Sequence, residues 1–429
     1  MKFWRVGFVF GMFFSLLTAR SPAGDWPEFR GPAGRGISDE TGLPDRWDGK
    51  LNVAWKKELP GSGWSSPVVH AGRIYLTAAV PSVIEKENDK PSAKDKPMGD
   101  YELSAICLDE ASGDVIWQVP VFKQSGTSDA KIHQKNSHAS PTPIVDGKRL
   151  FVHFGHQGTA CLGLDGRILW KSAQHVYEPV HGNGGSPVLV DEALIFSCDG
   201  ASNPRVVALE AATGQEIWKV ERPVDAVKKF SFSTPAVIDV NGTTQVISPG
   251  SDVVSSYEPR TGREIWRVRY DGYSVIPQPA FAHGMVFVCT GYNTPEVLAI
   301  RADGTGDVTD THIAWRVKRG VPNTPSPVIV GDELYMVSDH GVASCLDART
   351  GKAHWQKRLG GNYSASPLVG DGKIYFQSEE GTGSVLSLGK EVQEPVVNEL
   401  GERSLASYAI AHRSLLIRTS GHLYCIRVR

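Results

Sequence analysis

The sequence predicts an all-β protein: an eight-bladed β-propeller of four-stranded antiparallel blades, with the ring closed by the N-terminal strand. Three observations lead to this fold: a block of 40 to 48 residues that recurs along the chain, short strands split by glycine turns, and a last block without its outer strand. Periods of roughly 40–50 residues with several short strands apiece are typical of propeller blades.

Each block begins with a proline that usually follows Ser or Thr, and it ends on a strand that contains Trp. Seven starts are clear, at Pro67, Pro143, Pro187, Pro235, Pro279, Pro327 and Pro367. The strands are rich in Val, Ile and aromatic residues, as in consecutive antiparallel hairpins. Glycines such as Gly214 and Gly351 precede the Trp strands, where a hairpin loop needs positive φ.

The eighth block is incomplete. Its segment "LASYAIAHRSLLIRTSGHLYCIRV" places Tyr408 in the proline position and supplies three strands, but no Trp strand follows it. Residues 51–59, "LNVAWKKEL", contain an unpaired Trp strand. We therefore expect the strand around Trp55 to complete the last blade, which removes two exposed sheet edges.

The recurring aromatic and sulfur residues are expected to be structural. One Trp at a fixed place in each outer strand is interpreted as packing between neighbouring sheets rather than as a stacking surface for a ligand. These are Trp55, Trp117, Trp170, Trp218, Trp266, Trp315 and Trp355. Most of the six cysteines occupy matching strand positions in separate blades, with Cys198 and Cys289 as the exceptions, and we expect six buried, reduced thiols.

Three further segments surround the repeats. The basic start and apolar run in residues 1–23 predict a signal peptide, with a retained membrane anchor as the alternative. Residues 24–50 are rich in Gly and Pro and are expected to be irregular, with the propeller over 51–429. The charged stretch 81–100 is expected to form a surface loop in the first blade.

Composition excludes some partners. A formal net charge of −2 gives no electrostatic reason to expect nucleic acid. The apolar run near the N-terminus is short for a membrane span, so we expect none in the mature chain and a monomer in the periplasm or cell envelope. Motifs of P-loop, G-x-S-x-G or H-E-x-x-H type do not occur.

The segments "LDARTGKAHW" and "LEAATGQEIW" resemble the repeat of PQQ-like (pyrroloquinoline quinone repeat) propeller proteins, and the resemblance covers residues 55–429. This family includes the outer-membrane assembly lipoprotein BamB and quinoprotein alcohol dehydrogenases. The dehydrogenases typically carry an adjacent Cys-Cys pair, which this chain lacks, and no insertion looks large enough to cap a cofactor pocket. The lipid-bearing Cys of BamB-like lipoproteins is also missing.

Propeller geometry places two sets of loops on one face: those leading into the first strand of each blade and those between its second and third strands. The candidate residues of the first set are Trp64, His138, Asn183, Phe232, Asn323 and Tyr363. Those of the second set are His156, Asp199, Asp252, Asn293, His340 and Glu379. They suit a ligand or partner site, while ordinary turn chemistry is favoured for Asp199 and Asp252.

Histidines are concentrated in and beside the second blade, at His133, His138, His153, His156, His175 and His181. A metal site needs ligands that converge, and no helical His motif enforces this, so no metal is expected. The sequence therefore favours a noncatalytic, BamB-like scaffold for an envelope protein or polymer, without a cofactor. The alternative is an oxidoreductase that uses PQQ with Ca²⁺.

Overall fold

The computed structural model describes residues 24–82, 100–125 and 132–428. The expected signal peptide and residues 83–99 of the expected loop 81–100 lie outside these ranges. The described residues contain 33 strands and two short 3-10 helices, Pro32–Gly34 and Gly155–Gln157. None of the helices described there is long and apolar enough to cross a membrane.

The strands form eight sheets, one per blade, which confirms the predicted propeller. The first strand of the described residues, β1 (Val53–Glu58), belongs to blade 8. Blades 1 and 2 contain β2 (Val68–His70), β3 (Arg73–Pro81), β4 (Tyr101–Asp109), β5 (Val115–Gln124), β6 (Ile144–Val145), β7 (Arg149–His153), β8 (Thr159–Gly163) and β9 (Ile168–Ser172). Blades 3 and 4 contain β10 (Val188–Val190), β11 (Ala193–Cys198), β12 (Arg205–Glu210), β13 (Glu216–Glu221), β14 (Ala236–Val240), β15 (Thr243–Pro249), β16 (Val253–Tyr257) and β17 (Glu264–Arg269).

The remaining blades follow the same order. Blades 5 and 6 contain β18 (Ala280–Ala282), β19 (Met285–Cys289), β20 (Val297–Arg301), β22 (Ile313–Val317), β23 (Val328–Val330), β24 (Glu333–Val337), β25 (Val342–Asp347) and β26 (Ala353–Arg358). A two-residue strand of blade 5, β21 (Gly306–Asp307), joins the sheet of blade 4. Blades 7 and 8 contain β27 (Leu368–Gly370), β28 (Lys373–Gln377), β29 (Thr382–Ser387), β30 (Val396–Glu399), β31 (Ala409–Ala411), β32 (Ser414–Arg418) and β33 (His422–Arg427). First strands of neighbouring blades contact one another, so they surround the central channel.

The ring closes through the N-terminal strand, as predicted. Strand β1 pairs antiparallel with β33, and Trp55 lies opposite Cys425. The backbone N–H of Leu59 extends the pairing by donating to the carbonyl of Gly421 at 2.9 Å. Blade 8 is therefore built from both ends of the described chain, and neither its edge nor that of blade 1 is left open.

Most of the recurring tryptophans join one blade to the next. Each indole N–H donates to a carbonyl in the turn before the outer strand of the following blade, because that turn lies beside the ring. The pairs are Trp55 with Glu110 at 3.0 Å, Trp117 with Leu164 at 3.2 Å, Trp170 with Ala211 at 2.9 Å, Trp218 with Pro259 at 2.8 Å, Trp315 with Ala348 at 3.1 Å and Trp355 with Gly389 at 2.9 Å. In the turn beside Trp170, Gly214 has φ +74°, and a Cβ there would lie 2.5 Å from the ring. Glycine is thus required both by the turn and by the tryptophan.

Four of the six cysteines face these tryptophans across the sheet. Cys107, Cys161, Cys345 and Cys425 lie opposite Trp117, Trp170, Trp355 and Trp55. Alanine or serine fills the same position in other blades, for example Ala208 opposite Trp218. The position needs a small side chain beside a large ring, and all six cysteines are buried and unpaired as predicted.

Blades 4 and 7 depart from this rule. The indole of Trp266 donates to Gln245 of its own blade at 3.0 Å, because the longer turn of blade 5 adds β21 beside it. The outer strand of blade 7 has no Trp. Its Asn398 instead accepts the backbone N–H of Trp47 at 2.8 Å, and that ring packs edge-on to Tyr408 with centroids 6.4 Å apart.

Candidate functional site

The upper face of the ring is formed by two loops from each blade. We call the loop before the first strand the leading loop, and the loop between the second and third strands the mid-blade loop. The two loops contact each other within a blade, as where Thr324 of the blade 6 leading loop donates to Asp339 of its mid-blade loop at 2.7 Å. Every candidate residue of the sequence lies on this face.

Hydroxyl side chains fix the leading loops in a ring. The backbone N–H of the residue before the first strand's proline donates to the hydroxyl at the same position in the next blade. The pairs are Ser66 with Thr142, Thr142 with Ser186, Ser186 with Thr234, Gln278 with Ser326, Ser326 with Ser366 and Ser366 with Ser407, at 2.9–3.0 Å. Blade 5 carries Gln278 at this position, and its side chain donates back to Pro235 at 3.0 Å. The loops are therefore held on a rigid support.

The lower mouth of the channel contains residues 24–38 of the chain's own N-terminal segment, and residues 43–47 continue outward to the outer strand of blade 7. Trp26 exchanges two backbone hydrogen bonds with Val69 of β2 at 2.8 and 2.9 Å. Ile37 forms a parallel bridge with Val369 of β27. The segment thus uses the inner edges of blades 1 and 7. It has little regular secondary structure and packs against the first strands.

Two charged residues of this segment, Arg30 and Glu28, have pKa values that burial shifts strongly. The guanidinium of Arg30 is 1% exposed and donates to the carbonyl of Pro327 in blade 6 at 2.6 Å. Burial lowers the pKa of Arg30 to about 10, so it remains a cation at neutral pH. Burial raises the pKa of Glu28 to about 7, although part of its surface stays accessible to water. The charge of Glu28 therefore changes near neutral pH.

The upper mouth is crossed by residues 132–136 of the blade 2 leading loop. The backbone N–H of His133 donates to His181 of blade 3 at 3.2 Å. On the other side, Lys135 pairs with Glu379 of blade 7 at 2.7 Å, and Arg403 of blade 8 donates to Gln134 at 3.0 Å. The sequence suggested no insertion able to cap a pocket, but this link extends from blade 3 to blades 7 and 8.

A polar cluster connects blades 2 and 3 on the upper face. The side chain of Asn183 accepts the Tyr177 hydroxyl at 2.8 Å and lies 3.1 Å from Nδ1 of His156. The ring of His138 packs on Tyr101 with centroids 4.9 Å apart. Burial, with His156 nearby, lowers the pKa of His138 to about 4, so both its pKa and its packing favour a neutral ring.

Asp199 forms a buried ion pair. Both Asp199 and Arg222 have fully buried side chains, and Nε of Arg222 lies 2.8 Å from the aspartate. Arg222 also donates to the carbonyl of Ser248 in blade 4 at 2.8 Å. The pair thus connects blades 3 and 4, which is a more specific role than the turn chemistry expected for Asp199.

Several other candidate residues form hydrogen bonds within their own blade or are buried in it. Asp252 accepts the backbone N–H of Asp225 at 2.9 Å and has φ 56°. The N–H of Asn323 donates to Asp339 at 2.6 Å. Tyr363 is 1% exposed, and burial raises its pKa to about 12. Glu379 accepts the hydroxyl of Ser364 at 2.6 Å in addition to Lys135.

The other candidates are more accessible. Trp64 is half-buried beneath Arg403, whose guanidinium lies 6.0 Å from the ring centroid. His340 and Asn293 are exposed, and Asn293 has φ 83°, which is turn geometry. Phe232 is half-buried and belongs to a group of aromatic rings on blades 2 to 5.

We call this group the aromatic ridge: His133, His181, Phe230, Phe232, Tyr273 and Tyr292. Neighbouring ring centroids along it lie 5.4–5.9 Å apart. Blades 2 to 5 each contribute at least one ring from a leading loop, and Tyr292 comes from the mid-blade loop of blade 5. Sequence reasoning identified only Phe232 as a face residue from this group. The signal available in the sequence is that the leading loops of blades 2 to 5 each contain a His, Phe or Tyr.

A quinone held with Ca²⁺ would require a set of converging oxygen ligands on the upper face. Calcium takes about 6–8 oxygen ligands, usually including several carboxylates. No three of His, Cys, Asp and Glu converge to hold a metal in the described ranges. The carboxylates Asp199, Asp252, Asp339 and Glu379 all bind groups of the protein itself. One oxygen of Asp199 and one of Asp252 are buried without a hydrogen-bond partner. The described side chains thus form no assembled calcium site.

The family model described as outer membrane protein assembly factor BamB matches residues 98–218 and 202–429. The chain belongs to this family of PQQ-like propellers. BamB of Moranella endobia is 22% identical over 335 residues, which cover 73% of this chain and 79% of that protein. Subunit 1 of the cytochrome c methanol dehydrogenase of Methylorubrum extorquens is 31% identical over 163 residues, 32% of this chain. That match spans 24% of the dehydrogenase subunit.

Solved structures agree on the fold of this BamB-family chain. BamB from Moraxella catarrhalis superposes with a TM-score of 0.59 at 11% identity, over 88% of this chain and 97% of that one. A europium-containing methanol dehydrogenase superposes with a TM-score of 0.66 at 12% identity, over 95% and 98%. The same fold thus occurs in an assembly factor and in an enzyme, so function must be argued from the site.

Proposed function

We propose that this chain is an exported, noncatalytic propeller that binds a protein or polymer partner in the cell envelope through its upper face. One observation carries the proposal: residues of the chain itself cover both mouths of the channel. Small-molecule sites are usually concave pockets with a few convergent polar groups. Here residues 24–38 occupy the lower mouth and residues 132–136 cross the upper one.

The polar residues of the upper face support the same function. Asp199, Asn183 and Glu379 bind groups within the protein rather than converging on a shared open point. Phe232 and Tyr273 are partly exposed, and Tyr292 is 59% exposed. Exposed aromatic side chains in a loop face are typical of partner surfaces. The family match to BamB, an assembly factor by name, favours a protein as the partner.

The test is co-purification of the full chain from its native envelope after mild chemical cross-linking. We expect one partner in a fixed ratio that is absent from a parallel purification of an unrelated exported propeller. Recovery of the chain alone, after efficient cross-linking of a known envelope complex in the same sample, would overturn the proposal.

The second candidate is a PQQ-dependent oxidoreductase, favoured by the 31% identity to a methanol dehydrogenase subunit over 163 residues. Its test is the addition of PQQ and Ca²⁺ to the purified chain. Binding would change the quinone absorbance and raise the melting temperature. No change at saturating cofactor would remove this candidate.

A further inference from the structure

The first hairpin of blade 4, between β14 and β15, contains an acceptor motif for a glycan. Asn241, Gly242 and Thr243 form an Asn-x-Thr sequence, the motif in which asparagine carries N-linked glycans on exported proteins. Bacterial oligosaccharyltransferases prefer an acidic residue two positions before the asparagine, and Asp239 stands there. We propose that Asn241 is an N-glycosylation site. This inference rests on the proposed function only for export and otherwise goes beyond it.

This hairpin is longer than those of the other blades. Strand β14 has five residues, whereas the first strands of the other seven blades have two or three. Its turn begins six residues after Pro235, while the turn of blade 3 begins four residues after Pro187. Two added residues lengthen a strand by about 7 Å. Because the loops before the first strands lie on the upper face, the tip of this hairpin projects from the opposite, lower end of the ring.

The motif is accessible at this tip. Asp239, Asn241, Gly242 and Thr243 are all exposed. A Cβ placed on Gly242 would have no atom within 4 Å, so the space around the turn is open. Among the residues that the structure describes, the side chains of Asn241 and Thr243 have no hydrogen-bond partner, whereas Asp239 accepts the backbone N–H of Gly242 at 2.9 Å. A bulky group on Asn241 therefore displaces no neighbour and breaks no bond.

Turn chemistry accounts for only part of the motif. Asn241 has φ 53° and Gly242 has φ 82°, as in the two-residue hairpin turns that favour Asn-Gly. Such a turn sets no requirement for a hydroxyl at the next position. The residue at that position in blade 3 is Ala193, and in blade 6 it is Glu333. The exposed Thr243 is thus the residue that converts a common turn into an acceptor motif.

The other Asn-x-Ser/Thr sequence of the chain, Asn362-Tyr363-Ser364, is bound into the fold. The side-chain amide of Asn362 donates to Glu380 at 3.0 Å, and the hydroxyl of Ser364 donates to Glu379 at 2.6 Å. Tyr363 is 1% exposed. No acidic residue stands two positions before this asparagine. The folded protein therefore offers the hairpin motif to a transferase but not this one.

The donor for this reaction is a glycan attached through pyrophosphate to a membrane lipid. Nδ2 of Asn241 loses one proton to a base of the transferase and forms a bond to the anomeric carbon of the first sugar. The bond between that carbon and the pyrophosphate oxygen breaks, and the lipid pyrophosphate leaves with the electron pair. The product carries its glycan on the lower end of the ring, so the loops of the upper face stay free for a partner.

The experiment is peptide mapping by mass spectrometry of the full chain purified from its native envelope. Trypsin cleaves after Lys229 and Arg260 and releases residues 230–260, which contain the whole motif and no internal Lys or Arg. We expect this peptide to carry an added glycan mass and to release sugar fragment ions. Asn241→Asp, which suits positive φ, and Thr243→Val should abolish the added mass, whereas Thr243→Ser should retain it. The matched control, Asn362→Gln, should leave the mass of peptide 230–260 unchanged.

An unmodified peptide 230–260, from chain recovered in the envelope fraction, would overturn the inference and leave the proposed function standing. A glycan on Asn362, or an added mass that persists in Asn241→Asp, would overturn it as well. Absence of the chain from the envelope fraction would refute export, and the proposed function with it. Circular dichroism and melting of each variant establish that a lost glycan does not reflect a misfolded protein.

Discussion

Replacement of Trp26 tests whether the N-terminal segment is part of the folded body. Its side chain is 1% exposed and packs on Gly31, where a Cβ would lie 2.5 Å from the ring. Deleting a fully buried tryptophan costs about 3–5 kcal/mol of stability. We therefore expect Trp26→Ala to lower the free energy of unfolding by about that amount.

A second substitution separates packing from hydrogen bonding. In the described structure the indole N–H of Trp26 is buried without a hydrogen-bond partner. Trp26→Phe therefore breaks no bond, and it should cost only roughly 1–2 kcal/mol for the lost apolar area.

The assay is urea unfolding followed by fluorescence and circular dichroism, combined with limited proteolysis in residues 24–47. The alanine variant should have a lower midpoint and faster cleavage in the segment, with the phenylalanine variant between it and the wild type. Equal midpoints and equal cleavage for all three proteins would show that the segment does not pack in the channel.

Four further predictions concern ring closure, the buried Asp199–Arg222 pair, buried His153 and the cysteines. Deleting residues 24–60 removes strand β1 and three tryptophans, so it should destabilise the protein by more than about 5 kcal/mol; an unchanged melting temperature would contradict ring closure. Asp199→Asn should cost about 3–5 kcal/mol in urea unfolding because it leaves buried Arg222 without its partner, and Asp199→Leu with Arg222→Met should recover most of this loss. Burial lowers the pKa of His153 to about 3 from 6.5, so stability present above pH 6.5 should be lost as pH falls towards 3, by up to about 1.4 kcal/mol per pH unit. His153→Asn should flatten that slope in unfolding measured from pH 7 to 4, and an identical slope would argue against a buried neutral ring. Titration of unreduced, denatured protein should find six free thiols, whereas four or fewer would reveal a disulfide.

The blades were predictable because their signals are local and repeated. A proline, a glycine turn and a Trp strand recur within each block, so Trp55 could be recognised as the missing strand of blade 8. The same regularity identified the positions of Cys107 and Cys345, which face tryptophans.

The contacts between blades were harder to predict because they join residues far apart in sequence. Nothing near Trp47 indicates that it packs beside Asn398, in the one blade whose outer strand lacks a Trp. The loop residue Lys135 similarly reaches Glu379 across the channel. Propeller geometry predicted that the candidate residues share one face, but their partners depend on side-chain positions that repeat spacing does not determine.

Site-specific photo-cross-linking in the native envelope tests most directly whether the upper face binds a partner. A benzophenone amino acid replaces Tyr292 on the ridge, and in a separate protein it replaces Lys352. We predict a single protein adduct from position 292 and none from position 352. An adduct from position 352 alone, or no protein adduct from position 292 while a partner co-purifies, would contradict the assignment of this face.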